Sequence, residues 1–186
     1  MLVATALVIA FLVKTFAAQA FYIPSVSMLP TLEEGDRVVV SRVAYRVHEP
    51  RRGDVVVFEA TSREAASGDD DAWPVRVVRG FFETVGLVHP STEDFIKRVV
   101  GLPGETVEGR DGRIWIDGRA LDEPYLTEGT EPGTFAPVKV PEGHLFVMGD
   151  NRENSRDSRY FGPVPIEKVV GRAALRIWPP DRVGFL

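Results

Sequence analysis

Two serine hydroxyls, Ser25 and Ser27, stand between prolines in the run Ile23-Pro24-Ser25-Val26-Ser27-Met28-Leu29-Pro30-Thr31-Leu32. Proline fixes φ and withholds a donor, so this run is neither helix interior nor central strand, and Ser27 is presented from a stiff backbone. A linker would also read this way. A serine attacks a carbonyl only if a base takes its proton. The familiar templates are missing: there is no Gly-x-Ser-x-Gly elbow, and Pro30 stands where a Ser-x-x-Lys site would put its lysine. His48, His89 and His144 lie scattered, without metal-ligand spacing and without a context that marks a triad.

Lys97 offers a different base. In Phe95-Ile96-Lys97-Arg98-Val99-Val100, alternation places Phe95, Lys97 and Val99 on one face and Ile96, Arg98 and Val100 on the other. A solvated lysine, with a pKa of about 10.4, is protonated at neutral pH, whereas burial disfavours its charge and can free the amine to accept a proton. The plainer alternative is a lysine snorkelling at a sheet edge. Gly101-Leu102-Pro103-Gly104 ends the strand in a turn that would hold Lys97 in place. A third stretch, residues 148–162, follows an apolar strand with paired charges and small hydroxyls. Such a loop can buttress a site through hydrogen bonds, although a solvated loop has similar composition.

These residues need elements to position them. With 186 residues, 44% of them hydrophobic, the chain has room for one membrane segment and one globular domain. Residues 2–20 are interrupted by a single charge, Lys14. As a helix they would span about 28 Å, enough for a bilayer, with Lys14 snorkelling to one side. The expectation is a transmembrane anchor over residues 1–20 and a β-rich domain over 21–186. A cleaved leader ending at Ala18-Gln19-Ala20 is the alternative, but no Lys or Arg precedes the apolar core, and cleavage would leave Ser27 near a frayed end.

Downstream, Arg37-Val38-Val39-Val40-Ser41, Asp54-Val55-Val56-Val57-Phe58, the Lys97 run, Arg113-Ile114-Trp115-Ile116, His144-Leu145-Phe146-Val147-Met148 and Ala174-Leu175-Arg176-Ile177-Trp178 read as strands. Asp111-Gly112 and Asp117-Gly118 mark tight turns, and no long helical periodicity follows the anchor. The fold class is mainly β, with antiparallel sheets packed or partly closed. Residues of about 60–94 differ in composition and are expected to form an excursion, with Asp69-Asp70-Asp71 as its solvated tip. The net charge of -5 carries no basic stripe, which argues against a nucleic-acid partner. Without cysteine there is no disulfide, thiolate metal site or cysteine nucleophile, and no metal or cofactor is expected.

Four stretches in order, residues 23–32, 52–58, 95–104 and 149–159, resemble the bacterial type I signal peptidases, or leader peptidases. These are membrane-bound Ser/Lys proteases that cleave signal peptides from exported preproteins. The resemblance implies a signal-peptidase-like catalytic domain with Ser27 as nucleophile and Lys97 as general base, acting through an acyl-enzyme after small-x-small sites. Ser25 would complete the oxyanion hole with the Ser27 backbone N–H, and Ser155 would orient the Lys97 amine. Arg98 with Asp150, and Asp157 with Arg159, would support the site. Phe21, Ile23, Pro24, Leu32 and Ile96 would line the shallow substrate pockets. The partners implied are signal peptides of preproteins, the lipid bilayer and, as a candidate, the protein translocase. The location implied is the plasma (inner) membrane, single-pass, with the catalytic domain on the extracytoplasmic face; the positive-inside rule applied to Lys14, Arg37 and Arg42 points the opposite way. Two other readings remain: a self-cleaving Ser/Lys protease, and an inactive membrane-anchored β module that binds signal peptides.

Overall fold

The β-branched runs become strands because each can bury one or both faces. The structure, a computed structural model, describes residues 18–59 and 94–186. The larger sheet is built from β1 (Ala18–Tyr22), β2 (Arg37–Ser41), β3 (Val55–Glu59), β4 (Asp94–Gly101), β9 (His144–Met148), β10 (Val164–Pro165), β11 (Val169–Trp178) and β12 (Gly184–Phe185). Its order is β1-β2-β11-β3-β4-β9-β10, with β12 beside β11. A smaller sheet takes β5 (Thr106–Arg110), β6 (Arg113–Ile116), β7 (Arg119–Ala120) and β8 (Phe135–Lys139) in the order β7-β6-β5-β8. All pairings are antiparallel.

β3 is covered on both faces. Val55 and Val57 join a cluster with Phe21, Ile23, Met28, Leu32, Val38, Val40 and Ile96. Val56 and Phe58 join Val99, Leu145, Val147 and Val164 on the opposite side. Fully burying such a side chain contributes roughly 1.5–3 kcal/mol, so these two cores hold the register of β4 against β3. In that register Lys97 lies opposite Val56 and Ile96 opposite Val57. A one-residue slip would turn Lys97 to the other face. A third cluster packs Val107, Ile114, Ile116 and Val140 around the smaller sheet against Val100, Phe146 and Met148 of the larger one. The strands carrying Lys97 and the 149–157 loop are thereby braced by the smaller sheet.

The two Asp-Gly turns form as expected: Asp111 and Gly112 have φ of 51° and 69°, Asp117 and Gly118 48° and 77°. Paired positive φ values match the twist of a tight hairpin. One boundary is corrected. Ala18, Gln19 and Ala20, expected to finish the anchor, lie in β1 and pair with Ser41, Val40 and Val39. The ladder to β2 and the burial of Phe21 extend the strand back to Ala18. Asp94, placed at the end of the excursion, is likewise the first residue of β4. The anchor over residues 1–17 with Lys14, and residues 60–93 with Asp69-Asp70-Asp71 and His89, lie outside the described residues. Among the described residues no helix is long and apolar enough to cross a membrane.

Candidate active site

After β1 the chain turns through Pro24 and Ser25 into a single 3-10 turn, Val26–Met28, which displays Ser27. Met28 beneath it is fully buried and anchors the turn in the first core cluster. Lys97 reaches the same point from β4, and its Nζ lies 2.8 Å from Ser27 Oγ. The amine also donates to the Ile96 carbonyl at 2.8 Å. Ser27 is 8% exposed and Lys97 3%, so both partners of the pair are buried. Burial pulls the Lys97 pKa down from 10.5 to about 8, against the opposing pull of Asp157 and Asp150. Ser25 Oγ stands 3.2 Å from Ser27 Oγ, on the exposed side of the turn.

The 149–157 loop holds this pair in place. Arg98, the neighbour of Lys97, donates from Nε and Nη2 to the two oxygens of Asp150, at 2.8 and 2.7 Å. Its Nη1 donates to the Gly53 carbonyl at 2.8 Å, and the Thr31 hydroxyl donates to Asp150 Oδ2 at 2.5 Å. One ion pair therefore joins all four stretches singled out in the sequence. Asn151 donates its backbone N–H to the Ser27 carbonyl and its side-chain amide to the Val26 carbonyl, both at 3.1 Å. The Asp157 carboxylate accepts from the Gly149 N–H at 3.0 Å and from Arg159 Nε at 2.8 Å. Arg159 in turn donates to the carbonyls of Arg152 and Pro132 at 2.7 and 2.8 Å. Gly149 is a close-approach glycine, because a β-carbon there would collide with the Ser155 hydroxyl and the Ser27 carbonyl oxygen.

The structure thus brings together Ser25, Ser27, Lys97, Arg98, Asp150, Asp157 and Arg159. Ser155 is also at hand, buried against Gly149, but the expected hydrogen bond to Lys97 is not formed: its hydroxyl makes none, while the Lys97 amine bonds Ser27 and Ile96. Phe21, Ile23, Leu32 and Ile96 meet in one apolar cluster as interior side chains, no more than 7% exposed, and Pro24 is exposed. His48 and His144 are elsewhere, each ring bonded to a nearby carbonyl. Thr31, Gly149 and Asn151 were not singled out, although all three stand inside the quoted stretches. Among the described residues no group of His, Asp or Glu is placed to hold a metal ion.

The profile of the family described as "Signal peptidase, peptidase S26" matches residues 1–178. A signal peptidase I of Leptolyngbya laminosa is 43% identical over 180 residues, 96% of this chain and 78% of that protein. A probable signal peptidase I-2 of Synechocystis is 41% identical over 182 residues, covering 98% and 73% of the two chains. A solved signal peptidase I from Enterococcus faecalis is 30% identical and matches 67% of this chain and 97% of its own, with a TM-score of 0.46. The chain belongs to the signal peptidase family, peptidase S26, and is a signal-peptide-cleaving serine peptidase.

Proposed function

We propose that the reaction runs through Ser27 and Lys97, and that the chain cleaves preproteins after small-x-small sites at a membrane surface. The observation that carries this reading is the 2.8 Å contact between a buried lysine amine and a serine hydroxyl. With its pKa drawn down to about 8, about one Lys97 in ten is neutral at pH 7, against a few in ten thousand for an ordinary lysine. The neutral amine takes the Ser27 proton as Oγ attacks the scissile carbonyl. The oxyanion of the tetrahedral intermediate accepts hydrogen bonds from the Ser25 hydroxyl and the Ser27 backbone N–H. Lys97 then gives its proton to the departing amine, leaving an ester on Ser27. Water, deprotonated by Lys97, hydrolyses that ester and restores the hydroxyl.

Ser155 supplies a buried hydroxyl within the loop that carries Asp150 and Asp157, suited to steadying the Lys97 ammonium while it carries the proton. Arg98 with Asp150 and Asp157 with Arg159 hold the loop in register. Pro24, exposed and next in the chain to Ile23, would offer a shallow apolar surface that excludes bulk and favours alanine, with Phe21, Ile23, Leu32 and Ile96 packed together in the interior. Membrane placement draws support from exposed apolar side chains at one end of the larger sheet: Tyr22, Ile177, Trp178, Val183 and Phe185, the last 91% exposed. They lie on β1, β11, the turn after it and β12, with Tyr22 and Trp178 both in register with Arg37. Such a patch suits a bilayer surface, with the catalytic domain on the extracytoplasmic face of the plasma membrane, where preproteins emerge from a translocase.

The test is cleavage of a labelled preprotein whose signal peptide ends in Ala-x-Ala by the purified chain and its Ser27→Ala and Lys97→Ala variants. Both variants should fold and lose cleavage. Full turnover by either would sink the Ser/Lys mechanism and favour another nucleophile or base.

A further inference from the structure

The segment joining β7 to β8 belongs to none of the four stretches that carry the site, yet it docks on two of them. Glu123 presents its carboxylate to Arg152, accepting from Nη2 at 2.5 Å and from Nη1 at 3.2 Å. The Arg152 side chain is fully buried and that of Glu123 nearly so. Arg152 sits in the short 3-10 turn Arg152–Asn154, within the loop that holds Gly149, Asp150 and Ser155. Its Nε donates to the Gly149 carbonyl at 3.0 Å. Gly149 is the residue packed between the Ser155 hydroxyl and the Ser27 carbonyl. Two residues on from Glu123, the Tyr125 hydroxyl donates to Glu123 Oε1 at 2.6 Å. The face of the Tyr125 ring lies 4.0 Å from the Arg98 guanidinium. The segment therefore touches the strand that carries Lys97 and the loop that backs Ser27, at once.

We propose that Glu123 and Tyr125 are positioning residues that, through Arg152 and Arg98, lock the 149–157 loop against the Lys97 strand and so set the alignment of Ser27 with Lys97. The inference rests on the Ser27–Lys97 reading. A buried bidentate carboxylate–guanidinium pair fixes orientation as well as distance. Its third bond, from Arg152 Nε, transmits that orientation to Gly149, where no side chain cushions the contact with Ser27. The aromatic face does the same for Arg98, whose planar cation stacks as a lysine would not. Lys97 is faced by Asp150 and Asp157 from the loop, the first paired with Arg98 on its own strand and the second with Arg159. If the clamp loosens, water reaches the amine, its charged form is favoured and the neutral fraction falls.

The experiment uses the full chain and a synthetic peptide containing an Ala-x-Ala site, with kcat and KM measured separately across neutral to alkaline pH. Variants are Glu123→Gln, the paired replacement Glu123→Leu with Arg152→Met, Tyr125→Phe, and Ser27→Ala as the control for the mechanism. The paired replacement swaps the ion pair for apolar side chains, a change that often leaves stability intact. Both Glu123 variants should lose about tenfold or more in kcat, since an ångström of misplacement can cost up to about a hundredfold. Their KM should stay within about twofold of wild type, and the acid limb of kcat should move to higher pH. Tyr125→Phe keeps the ring on Arg98 and removes one hydrogen bond, so it should fold as wild type and lose about threefold in kcat. Wild-type kcat and an unmoved limb in a folded Glu123 variant overturn the proposal. So does a loss of kcat that only tracks the fraction folded, with the limb unmoved. Should neither Glu123 variant fold, Tyr125→Phe decides, and wild-type kcat there overturns it. Turnover by Ser27→Ala would remove the mechanism beneath the inference, whereas an inactive Ser27→Ala beside wild-type Glu123 variants removes the inference alone.

Discussion

Arg98 and Asp150 face each other as a fork on a fork, with Nε to Oδ1 at 2.8 Å and Nη2 to Oδ2 at 2.7 Å, and the Asp150 side chain is fully buried. The pair places the lysine strand and the serine's loop in one frame, because Thr31 donates to the same carboxylate. Removing one partner leaves a buried charge without compensation, which typically destabilises by about 3–5 kcal/mol. Asp150→Ala should lose stability on that scale in chemical denaturation. It should also lose cleavage under conditions where it is still folded. Arg98→Lys keeps the charge but not the fork, so it should fall between wild type and Asp150→Ala.

The pH dependence follows from Lys97. Its pKa is lowered to about 8 by burial, and only the neutral amine accepts the Ser27 proton. Therefore kcat/KM should rise with pH and reach half its plateau near pH 8, the limb belonging to the free enzyme. Lys97→Arg keeps a cation that does not deprotonate, so turnover should vanish at every pH. A flat profile, or turnover in Lys97→Arg, would mean that the residue acts as a fixed charge.

Alternation in β4 and the prolines around Ser27 carried most of the site into view, because both are local signals. Lys97 is buried opposite Val56 of β3 and against a serine seventy residues away, so its approach to Ser27 at 2.8 Å is visible only in the fold. The Ser155 hydroxyl, expected to bond the Lys97 amine, is unbonded, and the orientation of a side chain is not written in sequence. Phe21, Ile23 and Leu32 were expected as pocket lining and are interior, since an apolar residue beside a site reads the same whether it faces substrate or core. β5 and β8 escaped notice because Thr106-Val107-Glu108-Gly109-Arg110 and Phe135-Ala136-Pro137-Val138-Lys139 are held by their ladders more than by propensity. Glu123 and Tyr125 carry no local mark at all, being an ordinary acid and an ordinary aromatic.

Ser25 should act only once charge has developed on the substrate oxygen. Its hydroxyl is placed 3.2 Å from Ser27 Oγ on the open side of the turn. Ser25→Ala should lower kcat by about a hundredfold or more with KM little changed, as for other lost oxyanion donors. Ser25→Thr retains the donor and should recover much of the rate. Equal losses in both variants would point to a steric role.

Gly149 is required for want of space. A methyl group there would strike the Ser155 hydroxyl and the Ser27 carbonyl oxygen, the second of which is backbone and cannot swing away. Overpacking of this kind costs about 1–3 kcal/mol and shifts backbone. Gly149→Ala should be destabilised by that amount and should lose far more activity than stability, since the shift falls on Ser27. Adding Ser155→Ala removes the nearest collision, with the hydroxyl, but leaves those with the β-carbon of residue 155 and the Ser27 carbonyl oxygen. It should restore part of the stability without restoring turnover, which denaturation and cleavage assays on the same preparations can separate.

Burying Lys97 has a price in stability with a definite pH signature. In the folded chain its pKa is about 8 against the ordinary 10.5, so between these values the unfolded chain binds more protons than the folded one. Wild-type stability must then rise with pH through that window. A depression of this size corresponds to on the order of 3 kcal/mol, fully felt below pH 8 and relieved by about pH 10.5. Lys97→Met keeps the apolar stem and removes the titration, but it leaves Ser27 Oγ and the Ile96 carbonyl without their donor, which offsets part of the gain. The offset does not change with pH, whereas the lysine's penalty does. The stability of Lys97→Met relative to wild type should therefore be greatest at neutral pH and shrink steadily toward alkaline pH, in denaturation curves taken across the range. A difference that stays constant would show that Lys97 titrates like a solvated lysine, and with that the case for it as the base would fail.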